Sequence, residues 1–279
     1  MDRRKKIILV VGMLLLFLSV GVVLGVIFTR RKKSDSNNEP PIDQQTIQFV
    51  GKKETTTTSS TVGESNLFVV PSDFNLNQAH NSIDAVVYIN LAEREDRKLH
   101  IEKELEKLNG IYKTKERIDA VKHKVGAKGC ARSHIKALNR AKTKGWKNVL
   151  IVEDDLIFHK DNASLLISYV TQSHDFDVLL IAGNIKSSSK IETVGLAKPL
   201  RVQTTSCYLV KAHYYDVLID NFLESDNNLT SMKKQRSWAI DRNWFKLQRR
   251  DNWLLFEPTL ARQRPDYSNI EKKQVDYGV

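Results

Sequence analysis

The chain from residue 82 onward is predicted to be an α/β domain with a mostly parallel sheet, and three observations lead to that expectation. Short, wholly apolar runs such as 149–152 and 178–182 have the length of strands buried on both faces. Amphipathic stretches of helical length separate them. The roughly 200 residues involved suffice for one domain with a sizeable core.

Taken in order, 83–91 reads as a buried strand. A helix over 93–108 follows, with Ile101, Leu105 and Leu108 on one face. A short strand is expected around Ile118. A second helix runs over 128–144, with Ala131, Ile135, Leu138 and Ala141 in line and Gly145 closing it. The strand 149–152 comes next. Residues 165–170 are expected to be helical, 178–182 and 206–210 to be strands, 214–222 and 238–247 to be helices, and 253–256 to be a strand.

The preceding residues have a different character. A basic tail (1–6) leads into 22 uninterrupted apolar or small residues, 7–28, and Arg30, Arg31, Lys32 and Lys33 follow. A bilayer's hydrocarbon core needs roughly 20 residues of helix, so 7–28 is read as a retained transmembrane signal-anchor. Residues 29–81, with Thr55 to Thr58, Ser59, Ser60 and Thr61, bury too little to order themselves and are read as a flexible stalk. The domain is then 82–279.

The chain's net charge is +11. The tail and the anchor's flanks contribute +7 of it, which suits anionic lipid headgroups and removes the main compositional argument for nucleic acid. Basic residues flank both ends of the apolar run, so charge does not orient it. The sequons at Asn162 and Asn228 and the stalk point to a lumenal or extracellular domain of a single-pass type II protein. Cys130 and Cys207 are a possible pair in an oxidising compartment.

The candidate chemistry lies where the strand 149–152 ends in Glu153, Asp154 and Asp155. Adjacent carboxylates after a buried strand are costly unless a cation compensates them, and a metal is the simplest compensation. Strand alternation turns Glu153 and Asp155 toward one point and Asp154 elsewhere. A hard divalent cation using one or two carboxylates plus substrate phosphates fits such a pair. The bland alternative is a solvated turn.

Several segments in order resemble glycosyltransferase family 25, the group of lipopolysaccharide-biosynthesis and procollagen galactosyltransferases. They are Tyr88-Ile89-Asn90-Leu91 with Glu93-Arg94-Glu95-Asp96-Arg97, Arg117-Ile118-Asp119-Ala120-Val121, Gly129-Cys130-Ala131-Arg132-Ser133-His134, and the strand with its Glu-Asp-Asp. Cys207-Tyr208-Leu209-Val210 and Arg262-Gln263-Arg264-Pro265 are less specific matches. The resemblance implies a GT-A type nucleotide-diphospho-sugar transferase fold with a Rossmann-like mixed sheet, a UDP-sugar donor, and Mn2+ or Mg2+. It also implies a hexose, galactose or glucose, delivered to a glycan or a hydroxylated side chain, with the domain lumenal in Golgi or ER or, in a virus, on a host or virion membrane.

Under that resemblance Asp155 and Glu153 are the expected metal ligands. Asn90, Arg94, Arg97, Ser133, Glu153 and Asp154 are expected at the nucleotide, where guanidiniums pair with phosphate or pack on the base. His134 is expected to line the site as a catalytic candidate, and Asp241 to be the general base of an inverting reaction. For each of these a packing or helix-end role is the alternative. Trp238, Trp244, Trp253 and Tyr208 are candidates to stack on a sugar, although such aromatics more often build cores.

Two other readings compete. Residues 149–155 also resemble the opening strand of a phosphoacceptor receiver domain, but 178–183 lacks the aspartate that fold requires. A catalytically inactive membrane glycoprotein retaining the fold is the second.

Overall fold

In the computed structural model, which describes residues 70–74, 76–268 and 273–275, the chain begins with α1 (Leu76–Ala79), β1 (Ile83–Asn90), α2 (Glu95–Glu106), β2 (Tyr112–Asp119) and α3 (Gly126–Lys144). It continues through β3 (Asn148–Glu153), β4 (Leu156–Phe158), α4 (Ala163–Ser173), β5 (Val178–Leu180), β6 (Asn184–Lys190), β7 (Leu196–Gln203) and β8 (Cys207–Lys211). Then come α5 (Tyr215–Asn228), the short helices α6 (Gln235–Trp238), α7 (Ile240–Asn243) and α8 (Phe245–Arg250), and β9 (Trp253–Phe256). Three short strands close the chain, β10 (Ala261–Gln263), β11 (Asp266–Ser268) and β12 (Lys273–Val275).

Every described residue belongs to one compact unit, Val62–Val279. The expected anchor at 7–28 lies outside the described residues. Among the described residues no helix is long and apolar enough to cross a membrane. The end of the segment read as stalk is packed: Val70 and Phe74 lie against the core and Ala79 is fully buried.

Eight strands form one sheet in the order β2-β1-β3-β8-β5-β9-β7-β6. The expectation of a mostly parallel sheet is corrected, because only β1–β2, β1–β3 and β5–β9 pair parallel. Strand β8 runs antiparallel to both β3 and β5, and β7 runs antiparallel to both β9 and β6. The fold class is therefore α/β with a large mixed sheet. Buried runs on two sides of a strand do not record its direction, and β6 is too rich in Ser and Lys to stand out by hydropathy, while Lys198, Pro199 and Arg201 interrupt the apolar residues of β7.

Strand alternation builds a core on each face. Val86, Tyr88, Leu150, Val152, Cys207 and Leu209 point into one, with Ile101 and Leu105 of α2 and Ile167 and Val170 of α4. Ala85, Val87, Val149, Ile151, Tyr208 and Val210 point into the other, with Leu138 and Ala141 of α3 and Leu218 and Phe222 of α5. Each fully buried aliphatic side chain contributes about 1.5–3 kcal/mol, which is what holds β1 and β3 at the centre. Cys207 faces the first core and Cys130 packs against the second, so the proposed disulfide is not formed and both thiols are free.

Two elements differ from their expected form for identifiable reasons. Strand β2 is much longer than expected, because only Ile118 in it is buried and hydropathy does not mark the rest of this edge strand, where the exposed Lys113 and Lys115 deter further pairing. The expected helix 238–247 breaks into pieces at Ala239, whose ψ of 140° is not helical. The break lets the buried Trp244 donate to Val202 O at 2.9 Å while Gln248 brackets the same residue's N–H and C=O.

Candidate active site

Strand β3 delivers its acids to the mouth of a cavity of about 490 Å³. The loop after β1, the 120–124 loop, the N-terminal half of α3, and Gln263, Arg264 and Asp266 form the other walls. Helix α3 can lie this close because residue 129 is glycine: a Cβ there would sit 2.4 Å from Val121 O. Ser133 fastens the same junction, its hydroxyl donating to Gly129 O at 2.7 Å and accepting from Val121 N–H at 2.8 Å.

The three acids have three different surroundings. Asp154, nearly buried, accepts from Asn90 Nδ2 at 2.8 Å and from Arg97 Nη1 at 2.9 Å. Asp155 accepts from the same Arg97 nitrogen at 3.1 Å and from Gln263 Nε2 at 3.4 Å. Glu153 turns to the other wall, where its Oε1 meets Thr205 Oγ1 at 2.6 Å and His134 Nε2 at 3.2 Å. The sequence expectation set Asp154 apart from its neighbours. The structure instead joins Asp154 and Asp155 through one guanidinium, so an arginine supplies part of the compensation attributed to a metal.

That compensation is incomplete. Burial, reinforced by the charge of Glu153, pushes the Asp155 carboxyl up to about 7 despite Arg97. Burial also raises Asp154 against the pull of Arg97 and Asn90. For Glu153 burial acts upward too, but the hydrogen bonds from His134 and Thr205 outweigh it and hold the group below the usual glutamate value.

On α3, Cys130 and His134 are one turn apart and face Glu153. The ligating atoms of these three residues lie within 4.8 Å of one another, a second grouping able to hold a metal that does not include Asp155. His134 is fixed from behind, its Nδ1 lying 2.9 Å from Tyr208 Oη.

Arg94 and Arg97 line the cavity, and both are engaged with acids. Arg94 holds Asp96 with two bonds of 2.9 and 2.8 Å. Arg94, Arg97 and Arg264 all reach Asp266. Asn90 lies just behind the cavity, positioning Asp154.

Asp241 does not line the cavity. Its Oδ2 accepts from Thr204 N–H at 3.2 Å, and burial raises its pKa. Tyr208, Trp244 and Trp253 are fully buried core residues, and Trp238 also lies outside the lining, so none of the four is placed to stack on a sugar there. Gln263, Arg264 and Asp266 went unassigned in the sequence. The Arg262-Gln263-Arg264-Pro265 resemblance is the signal that touches the first two; Asp266 lies one residue beyond it.

No family model matches the chain, and no curated protein matches it. Glycosyltransferases are among the solved structures it resembles. One is a glycosyltransferase involved in glycosylation of the major capsid of PBCV-1, at 10% identity and TM-score 0.40, covering 68% of this chain and 96% of that one. Another is a Drosophila β-1,4-galactosyltransferase 7 variant in complex with manganese, UDP-Gal and xylobiose, at 11% identity and TM-score 0.36, covering 70% and 71%. A third is GlyE of Streptococcus pneumoniae, at 12% identity and TM-score 0.37, covering 63% and 46%. Likenesses this distant carry no argument about the site, whose reading rests on its own residues.

Proposed function

We propose that this chain is a metal-dependent glycosyltransferase that transfers a hexose, galactose or glucose, from a UDP-sugar to a glycan or a hydroxylated protein side chain. In this reading residues 7–28 anchor it as a single-pass type II protein, with the domain lumenal or, in a virus, on a host or virion membrane. The observation that carries the reading is convergence: residues from the segments resembling family 25 at 88–97, 117–121, 129–134, 149–155 and 262–265, which are far apart in sequence, meet around one cavity.

The donor set fits a divalent cation. Asp155 and Glu153 are two hard oxygen donors on the cavity wall, and one arginine leaves the acid cluster short of positive charge. A bound Mn2+ or Mg2+ would offset the charge that develops on a departing nucleotide diphosphate. Arg97 and Asn90 hold Asp154 rigid behind the ligands. Thr205 and His134 occupy Glu153 Oε1 and leave Oε2 for the cation. Of the two groups considered for proton transfer, His134 lines the cavity and is oriented by Tyr208, and we assign it that role ahead of Asp241.

The test is cleavage of a panel of nucleotide sugars with and without manganese, using the wild type and Asp155→Ala. Manganese-dependent cleavage of one UDP-sugar, lost in the variant, is expected. The second reading, an inactive membrane glycoprotein that keeps the fold, is favoured by one observation, the engagement of Asp154 and Asp155 by Arg97. UDP binding without cleavage of any sugar would select it.

A further inference from the structure

Three guanidiniums from separate parts of the chain converge on a single oxygen. Arg94 Nη2, Arg97 Nε and Arg264 Nη2 donate to Asp266 Oδ2 at 3.3, 3.0 and 2.8 Å. One carboxylate oxygen has room for about two strong donors along its lone pairs, so three charged donors exceed what an aspartate alone requires. All four residues line the cavity, beside the acids at the end of β3. Asp266 is also the first residue of the small two-stranded β11–β12 sheet, which is not part of the large sheet.

We infer that Arg94, Arg97 and Arg264 form an oxyanion subsite for a diphosphate, and that the Asp266 carboxylate is an internal stand-in which must leave before that anion enters. The inference rests on the nucleotide reading of the cavity only for the identity of the anion. Planar forks converging from several directions match a tetrahedral oxyanion better than a flat carboxylate held at one corner. The acids beside them each bind one of these arginines, Asp154 and Asp155 the Nη1 of Arg97 and Asp96 Arg94, whereas Asp266 occupies the point that all three share. Asp266 is therefore the group that an incoming phosphate displaces. An internal competitor lowers apparent affinity by the fraction of molecules in which it is undocked, so removing its charge tightens anion binding.

The experiment is calorimetric titration of the full chain in detergent with inorganic pyrophosphate, UDP and uridine. The proteins are the wild type, Asp266→Asn, Asp266→Glu, and Asp266→Asn combined with Arg264→Gln. Asp266→Asn is expected to bind pyrophosphate and UDP about three- to tenfold more tightly, Asp266→Glu to resemble the wild type, and the double variant to lose the gain. Uridine affinity stays the same throughout. A urea midpoint for each variant separates loss of fold from loss of binding.

Pyrophosphate binding Asp266→Asn no more tightly than the wild type, or binding neither, overturns the inference and makes Asp266 a plain structural ion-pair partner. If pyrophosphate shows the gain while UDP binds no better than pyrophosphate and uridine does not bind, the subsite stands and the nucleotide reading falls.

Discussion

Tyr208 Oη lies 2.9 Å from His134 Nδ1 within the core behind the cavity, and the opposite nitrogen of the ring faces Glu153 Oε1 at 3.2 Å. This pairing fixes the ring plane as well as its position. Tyr208→Phe removes only the hydroxyl and leaves a buried ring nitrogen unpartnered, at a cost of about 1–3 kcal/mol. Chemical denaturation should show that loss. Turnover should fall while the KM for the donor stays near its original value, since Tyr208 is fully buried and does not line the cavity.

Arg97 serves Asp154, Asp155 and Asp266 at once. Arg97→Met leaves Asp154 and Asp155 without their cation in a poorly solvated place, while Asp266 keeps Arg94 and Arg264, and breaking a buried pair from one side costs about 3–5 kcal/mol. Arg97→Lys should recover little of it, because an ammonium lacks the fork that reaches acids in different directions. Unfolding midpoints of the two variants beside the wild type provide the measurement.

Asp155→Asn should abolish metal-dependent turnover and also make the metal-free protein more stable. The folded carboxyl titrates near 7, against about 3.9 in an unfolded chain. Between those values the folded state holds the extra proton, so wild-type stability declines as pH rises from about 4 toward 7. The amide does not titrate. Melting curves in chelator should therefore diverge across that window, with the variant's advantage reaching its full size above pH 7.

Gly129→Ala tests the wall of the cavity without altering any charge. The added Cβ would lie 2.4 Å from a backbone oxygen, so the 120–125 segment must shift. Weaker donor binding and a lowered melting temperature are expected together. A variant indistinguishable from wild type would mean that this wall yields freely.

The sequence disclosed the interior of the fold better than its periphery. Strands β1, β3 and β9 and helix α3 were visible because burial on two faces, or along one helical stripe, leaves a periodic trace. Strand β2 showed only around the buried Ile118, and β6 not at all, because these two edge strands keep most of their side chains at least partly in water and carry little such trace. At the site, Arg94, Arg97 and the three acids could be singled out, since a charge beside an apolar strand is conspicuous. The partnership of Arg97 with Asp266 could not, because 169 residues separate them and nothing local in either segment encodes the meeting.

The acids at 153–155 are neighbours with unequal duties. Glu153 looks to α3, Asp155 looks to residue 263, and Asp154 is spent on Asn90 and Arg97. A single-residue insertion or deletion in the 148–153 segment would hand each carboxylate its neighbour's position while leaving composition almost unchanged. Spacing along that segment is therefore a stricter requirement than the identity of any of its aliphatic side chains, and tolerance to leucine–valine exchange beside intolerance to a one-residue slip is the pattern a mutational scan should return.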